Sequence, residues 1–482
     1  MGEIGKFIEE CIRKNPESFI EEYKGDKYSY KEFIEEIDSY INKIDINTYR
    51  RRKCLVVCRH NIEELKALIF SWKMDMIAVP MSIHYGIEQC KRSIEAVSPD
   101  LILTDDPEIQ LDVKAPIYFL NTMPNKCKCE GVDEDLAGIE LMMCTSGTTG
   151  MPKASMFEGE AIRSNCIAIS EYFPITSDDT VLVARPLYHC AVIVGEVLTA
   201  LYNGCNILFY SDTYNPIVLS RILCSNYITV MCGTPTIFKG ISEALTFQKK
   251  QTQLKVIALS GEYLLPERAK SISRAFNAMI FNVYGLTEAG PRVSYLPADK
   301  FDTIPSSVGI PLKNVEISIV SEQEPFNVMA NKEIGRIWIK TPYLMKGYYK
   351  NELKTKERKY GDWFDTGDVG YIDNEYLYVV GRSDDMIIKG GLNIYPRDIE
   401  NCILGIDDVK EVLVYGVIID NVEQICADVI LSDRDNQDIL ALRKKIANKV
   451  EGYMMPHIVN IVEDFKRNAS GKIVRPKKIY RV

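Results

Sequence analysis

No C-x-x-C pair occurs among the 14 cysteines of this 482-residue chain. Cys127 and Cys129 come nearest, and a turn with that gap is poorly built to chelate zinc. Reduced, buried thiols in a cytosolic compartment are the expectation. The N-terminus lacks the basic stretch and apolar core of a secretory signal; "MGEIGKFIEECIRKN" reads instead as an acidic amphipathic helix. Lys6 stands where N-myristoylation needs Ser or Thr. The longest apolar run, "ALIFSWKMDMIAVPM", is broken by Lys73 and Asp75 well short of a membrane span. A soluble, cytoplasmic protein without a membrane span is expected. An excess of positive charge is also missing: the net charge of -9 repels nucleic acid and anionic membrane, so no nucleic-acid partner is expected. Repeats and low-complexity segments are absent.

What is present is an ordinary globular composition, 46% hydrophobic and 26% charged, which argues against disorder. The length exceeds what one core organises, so at least two domains are expected. From Tyr28 to about Met81, helical patterns such as "NIEELKALIFSWK" alternate with β-branched runs such as "KCLVVC". The alternation returns in "TVLVARPLYHC", "GCNILFY", "YITVMCG", "LKVIALSG" and "AMIFNVYG", most of them ending in a small or turn residue. Loops at the carboxyl ends of such strands are where α/β sheets gather ligands. After Asp299 short strands and turns dominate, as a β-rich subdomain would require. Past "GRSDDMIIKGGLNIYP", about 100 residues read helix, strand, strand, helix, strand, a small α+β domain.

The most suggestive stretch is "MMCTSGTTGMPKAS", Met142 to Ser155. Converging N–H groups, small hydroxyls and one lysine suit a polyphosphate. It is not the P-loop of nucleotide hydrolases, because Pro152 and Ala154 occupy the positions of that motif's second Gly and its Ser/Thr. A polar hairpin loop is the plainer reading of the same residues.

This stretch is followed in order by "NVYGLTEAG", "GDWFDTGDVG", "GRSDDMIIKGGLNIYPRDIE" and "RNASGKIVRP". Together they resemble the adenylate-forming superfamily of acyl-CoA synthetases, aryl-acid ligases, peptide-synthetase adenylation domains and beetle luciferases. The resemblance extends over essentially the full length. It implies an α/β multidomain fold: residues 1–383 form a large N-terminal domain of two α/β subdomains plus a β-rich subdomain, and residues 384–482 a small, mobile C-terminal α+β domain. It also implies activation of a carboxylic acid by ATP through an acyl-adenylate, release of pyrophosphate, and transfer of the acyl group to a thiol.

The resemblance further assigns roles. Thr145, Ser146, Gly147, Thr148, Thr149, Gly150 and Lys153 hold the β and γ phosphates, with Ala154 where relatives usually carry Gly. Tyr284 lies against adenine beside Gly285, Thr287 near the α-phosphate, and Glu288 on Mg²⁺, an ion that favours a carboxylate together with phosphate oxygens. Gly261 and Glu262 belong to the loop near adenine. Asp368 accepts the ribose hydroxyls, with Asp365 as competitor; Arg382 reaches ribose or phosphate, unless it pairs with Asp384 or Asp385 on the surface. Lys472 is the principal catalytic lysine of adenylation. Asp384 is the hinge that withdraws it, while Gly390 and Gly391 form the wall of a pantetheine channel and Asn393 approaches the nucleotide. His189 closes the carboxylate end of an acyl pocket built from "RPLYHCAVIVGE", "MCGTPTIF" and the residues before Tyr284, with Val192, Val194, Cys232 and Ile237 as an apolar lining. Amino-acid-activating relatives carry an acidic pocket residue; only Glu196 is available here and its spacing does not fit, so a neutral aryl or aliphatic acid is favoured. The thiol acceptor is CoA or the phosphopantetheine of a carrier protein. A nucleotide-binding scaffold and a luciferase-type oxygenase are weaker alternatives.

Overall fold

The run NIEELKALIFSWK forms the helix Asn61–Lys73, buried along its length. It lies against strands Lys53–Val56 and Ile77–Pro80 on one side and Phe19–Glu22 on another, so an apolar surface all round is what its position demands. Its two lysines are neutralised where they stand. Lys66 bonds Glu63 at 2.9 Å and Glu36 at 3.1 Å; Lys73 reaches Asp38 at 2.7 Å and also Glu9. The stretch that fell short of a membrane span is an interior layer of the fold. Among the described residues no helix is long and apolar enough to cross a membrane.

The computed structural model describes residues 1–111, 113–125, 136–145, 152–225, 227–321, 328–389, 392–419, 422–433, 438–466, 473–476 and 479–481. Packing divides the chain into two units: Met1–Glu316 with Ile339–Phe364, and Ile317–Trp338 with Asp365–Val482.

The first unit holds two large sheets. In the nine-stranded sheet, Met279–Tyr284, Val256–Ser260, Val230–Gly233, Thr180–Val183, Asn206–Phe209 and Phe19–Glu22 lie side by side in parallel, with antiparallel strands at both edges. The first five of these are the apolar runs read from the sequence, and Phe19–Glu22 is not among them. Largely buried on both faces, the five need no polar alternation, whereas Phe19–Glu22 alternates. The seven-stranded sheet carries Lys53–Val56 and Ile77–Pro80 at its centre, and the antiparallel pair Ile139–Thr145 and Lys153–Glu158 towards one edge. The N-terminal helix Glu3–Lys14 forms as its amphipathic pattern requires, burying Ile4, Phe7, Ile8, Cys11 and Ile12.

In the second unit, a sheet in the order Ile458–Ile461, Val422–Leu431, Val409–Ile419, Ile479–Arg481 accompanies the helices Pro396–Leu404 and Ile439–Ala447. The element order matches the sequence reading. Its core gathers Ile399, Ile403, Val414, Ile425, Val429 and Ile446. The division of packing falls at Phe364/Asp365, and helix Pro396–Leu404 also touches strand Tyr376–Arg382.

Candidate active site

In the nine-stranded sheet, four adjacent strands deliver their carboxyl ends to one edge. Two residues after Thr180–Val183 comes Arg185, and then His189, whose ring lies 4.3 Å from that of Tyr188. Strand Val256–Ser260 runs into Gly261, whose φ of +85° suits a residue without Cβ. Glu262 follows, its Oε2 accepting from the Thr236 N–H at 3.1 Å and the Thr236 hydroxyl at 2.7 Å. Register pairs Ser260 with Val283, so Gly261 and Tyr284 leave the sheet side by side. A Cβ on Gly285 would stand 1.7 Å from the Pro291 carbonyl oxygen, which admits only glycine there. Thr287 and Glu288 occupy the single 3₁₀ turn that comes next.

The second sheet adds the lysine. Thr145 and Lys153 face one another across the hairpin pair, and the Thr145 hydroxyl donates to the Lys153 carbonyl at 3.4 Å. Strand Gly347–Tyr348 pairs with Lys153–Glu158, and this sets Tyr348 between two predicted site residues. The Lys153 ammonium sits 5.2 Å from the Tyr348 ring centroid, while the Tyr348 hydroxyl donates to Glu288 Oε1 at 2.8 Å. The Met345 N–H also donates to the Glu288 carbonyl, at 2.9 Å. Thus the lysine of one sheet and the carboxylate of the other are fixed through one phenol. Sequence reasoning missed Tyr348; the "KGYYK" segment carries no motif, and only the long-range strand pairing reveals its place.

In the second unit, Asp368 and Arg382 are cross-strand partners. Arg382 Nη1 donates to Asp368 Oδ1 at 3.2 Å and to the Thr366 carbonyl at 3.1 Å. The ion pair involving Arg382 therefore includes Asp368, itself a predicted nucleotide ligand. Asp365 bonds Arg336 and accepts the Gly367 N–H at 2.9 Å, fixing the part of strand Trp363–Asp373 that leads to Asp368. Asp384 is exposed in the turn Ser383–Asp385, and Asn393 is exposed in strand Leu392–Ile394, opposite Ile388. Burial pushes the Asp385 carboxyl up, opposed by Arg475 at 3.5 Å. Ser146, Gly147, Thr148, Thr149, Gly150, Gly390, Gly391 and Lys472 lie outside the described residues.

The donor set suits Mg²⁺, which takes one or two protein carboxylates and completes its shell with water and phosphate oxygens. Glu288 supplies such a carboxylate, oriented through Oε1 by Tyr348. Among the described residues no group of three or more His, Cys, Asp or Glu could hold a metal by itself. The described cysteines are free thiols.

Residues 8–349 match the model of the AMP-binding enzyme family, and residues 398–472 that of the AMP-binding enzyme C-terminal domain. The chain belongs to the AMP-binding enzyme family. It is therefore an enzyme of the adenylate-forming class, as the resemblance implied. This AMP-binding enzyme is 26% identical over 475 residues to the 2-succinylbenzoate–CoA ligase of Oceanobacillus iheyensis, covering 95% of each chain. It is 30% identical over 428 residues to the feruloyl-CoA synthase of an Amycolatopsis species, covering 85% of each. Its fold superimposes with a TM-score of 0.84 on O-succinylbenzoate coenzyme A synthetase from Bacillus subtilis, solved with ATP and magnesium ion. That match is 21% identical over 97% of this chain and 98% of the other.

Proposed function

We propose that this AMP-binding enzyme condenses a carboxylic acid with ATP to an acyl-adenylate, releases pyrophosphate, and passes the acyl group to the thiol of CoA. The observation that carries the reading is the connected set Lys153, Tyr348 and Glu288. Two anions, carboxylate and triphosphate, must meet, and a lysine and a metal-binding carboxylate fixed at one spot answer that repulsion. A magnesium ion held there with the nucleotide's phosphates supplies further positive charge. Lys153 then steadies the β and γ phosphates, Tyr284 and Gly261 flank the adenine, and His189 meets the acid's carboxylate.

Asp368 accepts the ribose hydroxyls, its carboxylate aimed by Arg382. Lys472 bridges carboxylate and α-phosphate as they approach, a contribution of roughly 3 to 4 kcal/mol for one preorganised donor. Because pyrophosphate must leave before pantetheine enters, residues 384–482 turn about Asp384, and the segment carrying Gly390 and Gly391 takes the place of Lys472. CoA is favoured as acceptor because the relatives named above are CoA ligases.

The test is ATP–pyrophosphate exchange over a panel of carboxylic acids, followed by single turnover with CoA or a holo carrier protein. Acid-dependent exchange and an acyl-CoA product are expected. Formation of ADP, or exchange with no acid in the panel, would overturn the reading; acyl transfer to the carrier alone would overturn the assignment of CoA.

A further inference from the structure

Two of the segments expected to form the acyl pocket, "RPLYHCAVIVGE" and "MCGTPTIF", meet at a buried arginine that no motif marked. Arg292 follows "NVYGLTEAG" by two residues and is 2% exposed. Its backbone is clamped by Asn165, whose side-chain amide donates to the Arg292 carbonyl at 3.0 Å, and its Nη1 donates to the Tyr172 hydroxyl at 3.1 Å. Nε and Nη2, the other edge of the guanidinium, find no oxygen or nitrogen acceptor among the described residues. Cys232, a neutral thiol and at best a weak acceptor, lies beside it. A Cβ on Gly195 would come within 2.9 Å of both Nε and Nη2, so that glycine lets the guanidinium reach the helix.

The helix is distorted at this place. Ile193–Leu198 forms a π turn, a feature that recurs at functional sites, and it presents Gly195 and Glu196 together. Glu196 is also 2% exposed, and its Oε1 is occupied by Arg185, whose Nη2 and Nε donate at 2.6 and 3.0 Å. Arg185 Nη1 donates to Ser260 at 3.1 Å, at the carboxyl end of the neighbouring strand. The cluster thus holds two guanidinium groups, always charged, against at most one carboxylate. A net positive charge remains in the interior, which is strongly unfavourable unless something neutralises it.

The free edge is chemically specific. Nε and Nη2 are parallel donors that match the two oxygens of a carboxylate. We infer that Arg292 binds a second carboxylate on the acid substrate, so that the enzyme selects dicarboxylic acids, one carboxylate being activated and the other docked on the guanidinium. The inference rests on the adenylation reading and replaces the sequence-based expectation of a neutral acid. That expectation followed from the lack of a substrate-pairing acidic residue and did not weigh a buried base.

The experiment compares dicarboxylic acids with monocarboxylic acids and monomethyl esters of equal length, by ATP–pyrophosphate exchange on the full chain. Wild type is expected to favour diacids at least tenfold in kcat/KM, with free acetate or phosphate failing to raise the rate of a monoacid. Arg292→Met should lower diacid kcat/KM about tenfold to a hundredfold while leaving or raising that of monoacids, and Arg292→Lys should retain part of the preference. Monoacids used as well as diacids by wild type, a ratio unchanged in Arg292→Met, or a monoacid rescued by free anion would overturn the inference while leaving adenylation standing. Exchange with no acid at all would overturn both. Should Arg292→Met fail to fold, the wild-type ranking and Arg292→Lys decide the matter.

Discussion

Tyr348 donates its phenolic hydrogen to Glu288 at 2.8 Å while its ring supports the Lys153 ammonium at 5.2 Å. Removing only the hydroxyl, as in Tyr348→Phe, keeps the ring and releases the carboxylate. A hydrogen bond to a charged group is worth about 1.5 to 3 kcal/mol. Pyrophosphate exchange should fall roughly tenfold to a hundredfold, with a higher magnesium requirement, because Glu288 is the expected metal ligand. An unaltered magnesium dependence would remove Tyr348 from the site.

Arg382 and Asp368 form a second such unit, joined at 3.2 Å across adjacent strands. Asp368→Asn and Arg382→Met are each expected to slow exchange by about tenfold or more, as loss of a charge-assisted contact implies. The double variant should lose much less than the product of the two, since groups acting together are not additive. Losses that multiply would show two independent roles. The measurement is kcat/KM for ATP in all four proteins.

Lys472→Ala should abolish pyrophosphate exchange, a drop of roughly a hundredfold or more, while a preformed acyl-adenylate still reacts with thiol. Single-turnover transfer from synthetic adenylate distinguishes the steps. Equal loss of both would argue against two conformations serving two half-reactions.

Local chemistry was readable in the sequence, and register was not. The parallel strands announced themselves because a strand buried on both faces reads as a near-continuous apolar run, as in "LKVIALSG". Lys153, Tyr284 and Glu288 were marked by motifs whose spacing is short. Arg382 was weighed against Asp384 and Asp385, its neighbours in the chain, whereas its structural partner is Asp368, fourteen residues back but directly opposite in the ladder. Tyr348 and Arg292 escaped for the same reason: the residues they touch are brought near by sheet pairing and helix packing over long separations. A charged residue in "GPRVSYL", where the following residues are strand-like, was the one available hint for Arg292.

Glu140 caps the N-terminal helix from a distant strand. Its carboxylate accepts the N–H groups of Glu3 at 2.6 Å and Ile4 at 2.8 Å, two donors that a helix start leaves unpaired, and Gly2 offers no side chain to replace it. The fit is close: a Cβ on Gly2 or on Gly159 would stand 2.4 Å from the carboxylate. Glu140→Ala should cost about 2 kcal/mol, and Gly159→Ala should also lower the thermal midpoint. Adenylation per folded molecule should stay unchanged in both, since neither residue belongs to the site. Thermal unfolding followed by tryptophan emission is a suitable reporter, because the Trp72 indole donates to the Glu140 carbonyl at 3.0 Å.

Glu64 supplies the pH-dependent counterpart. It lies inside the helix Asn61–Lys73, its Oε1 without a hydrogen-bond partner among the described residues, and burial pushes its carboxyl well above the usual 4.5, with Asp105 acting in the same direction. The folded chain therefore holds this proton more tightly than the unfolded chain does. Stability contributed by Glu64 is complete below about pH 4, the unfolded carboxyl's range, and is lost as pH rises through the elevated folded value. Glu64→Gln keeps the shape and removes the titration. At pH 4 the variant should match wild type or fall slightly below it; by pH 8 it should be the more stable of the two, because only wild type must then hold a proton against the solution or bury a charge. Denaturation at both pH values measures the gap, and a gap that stays constant between them would mean that Glu64 does not take up a proton on folding.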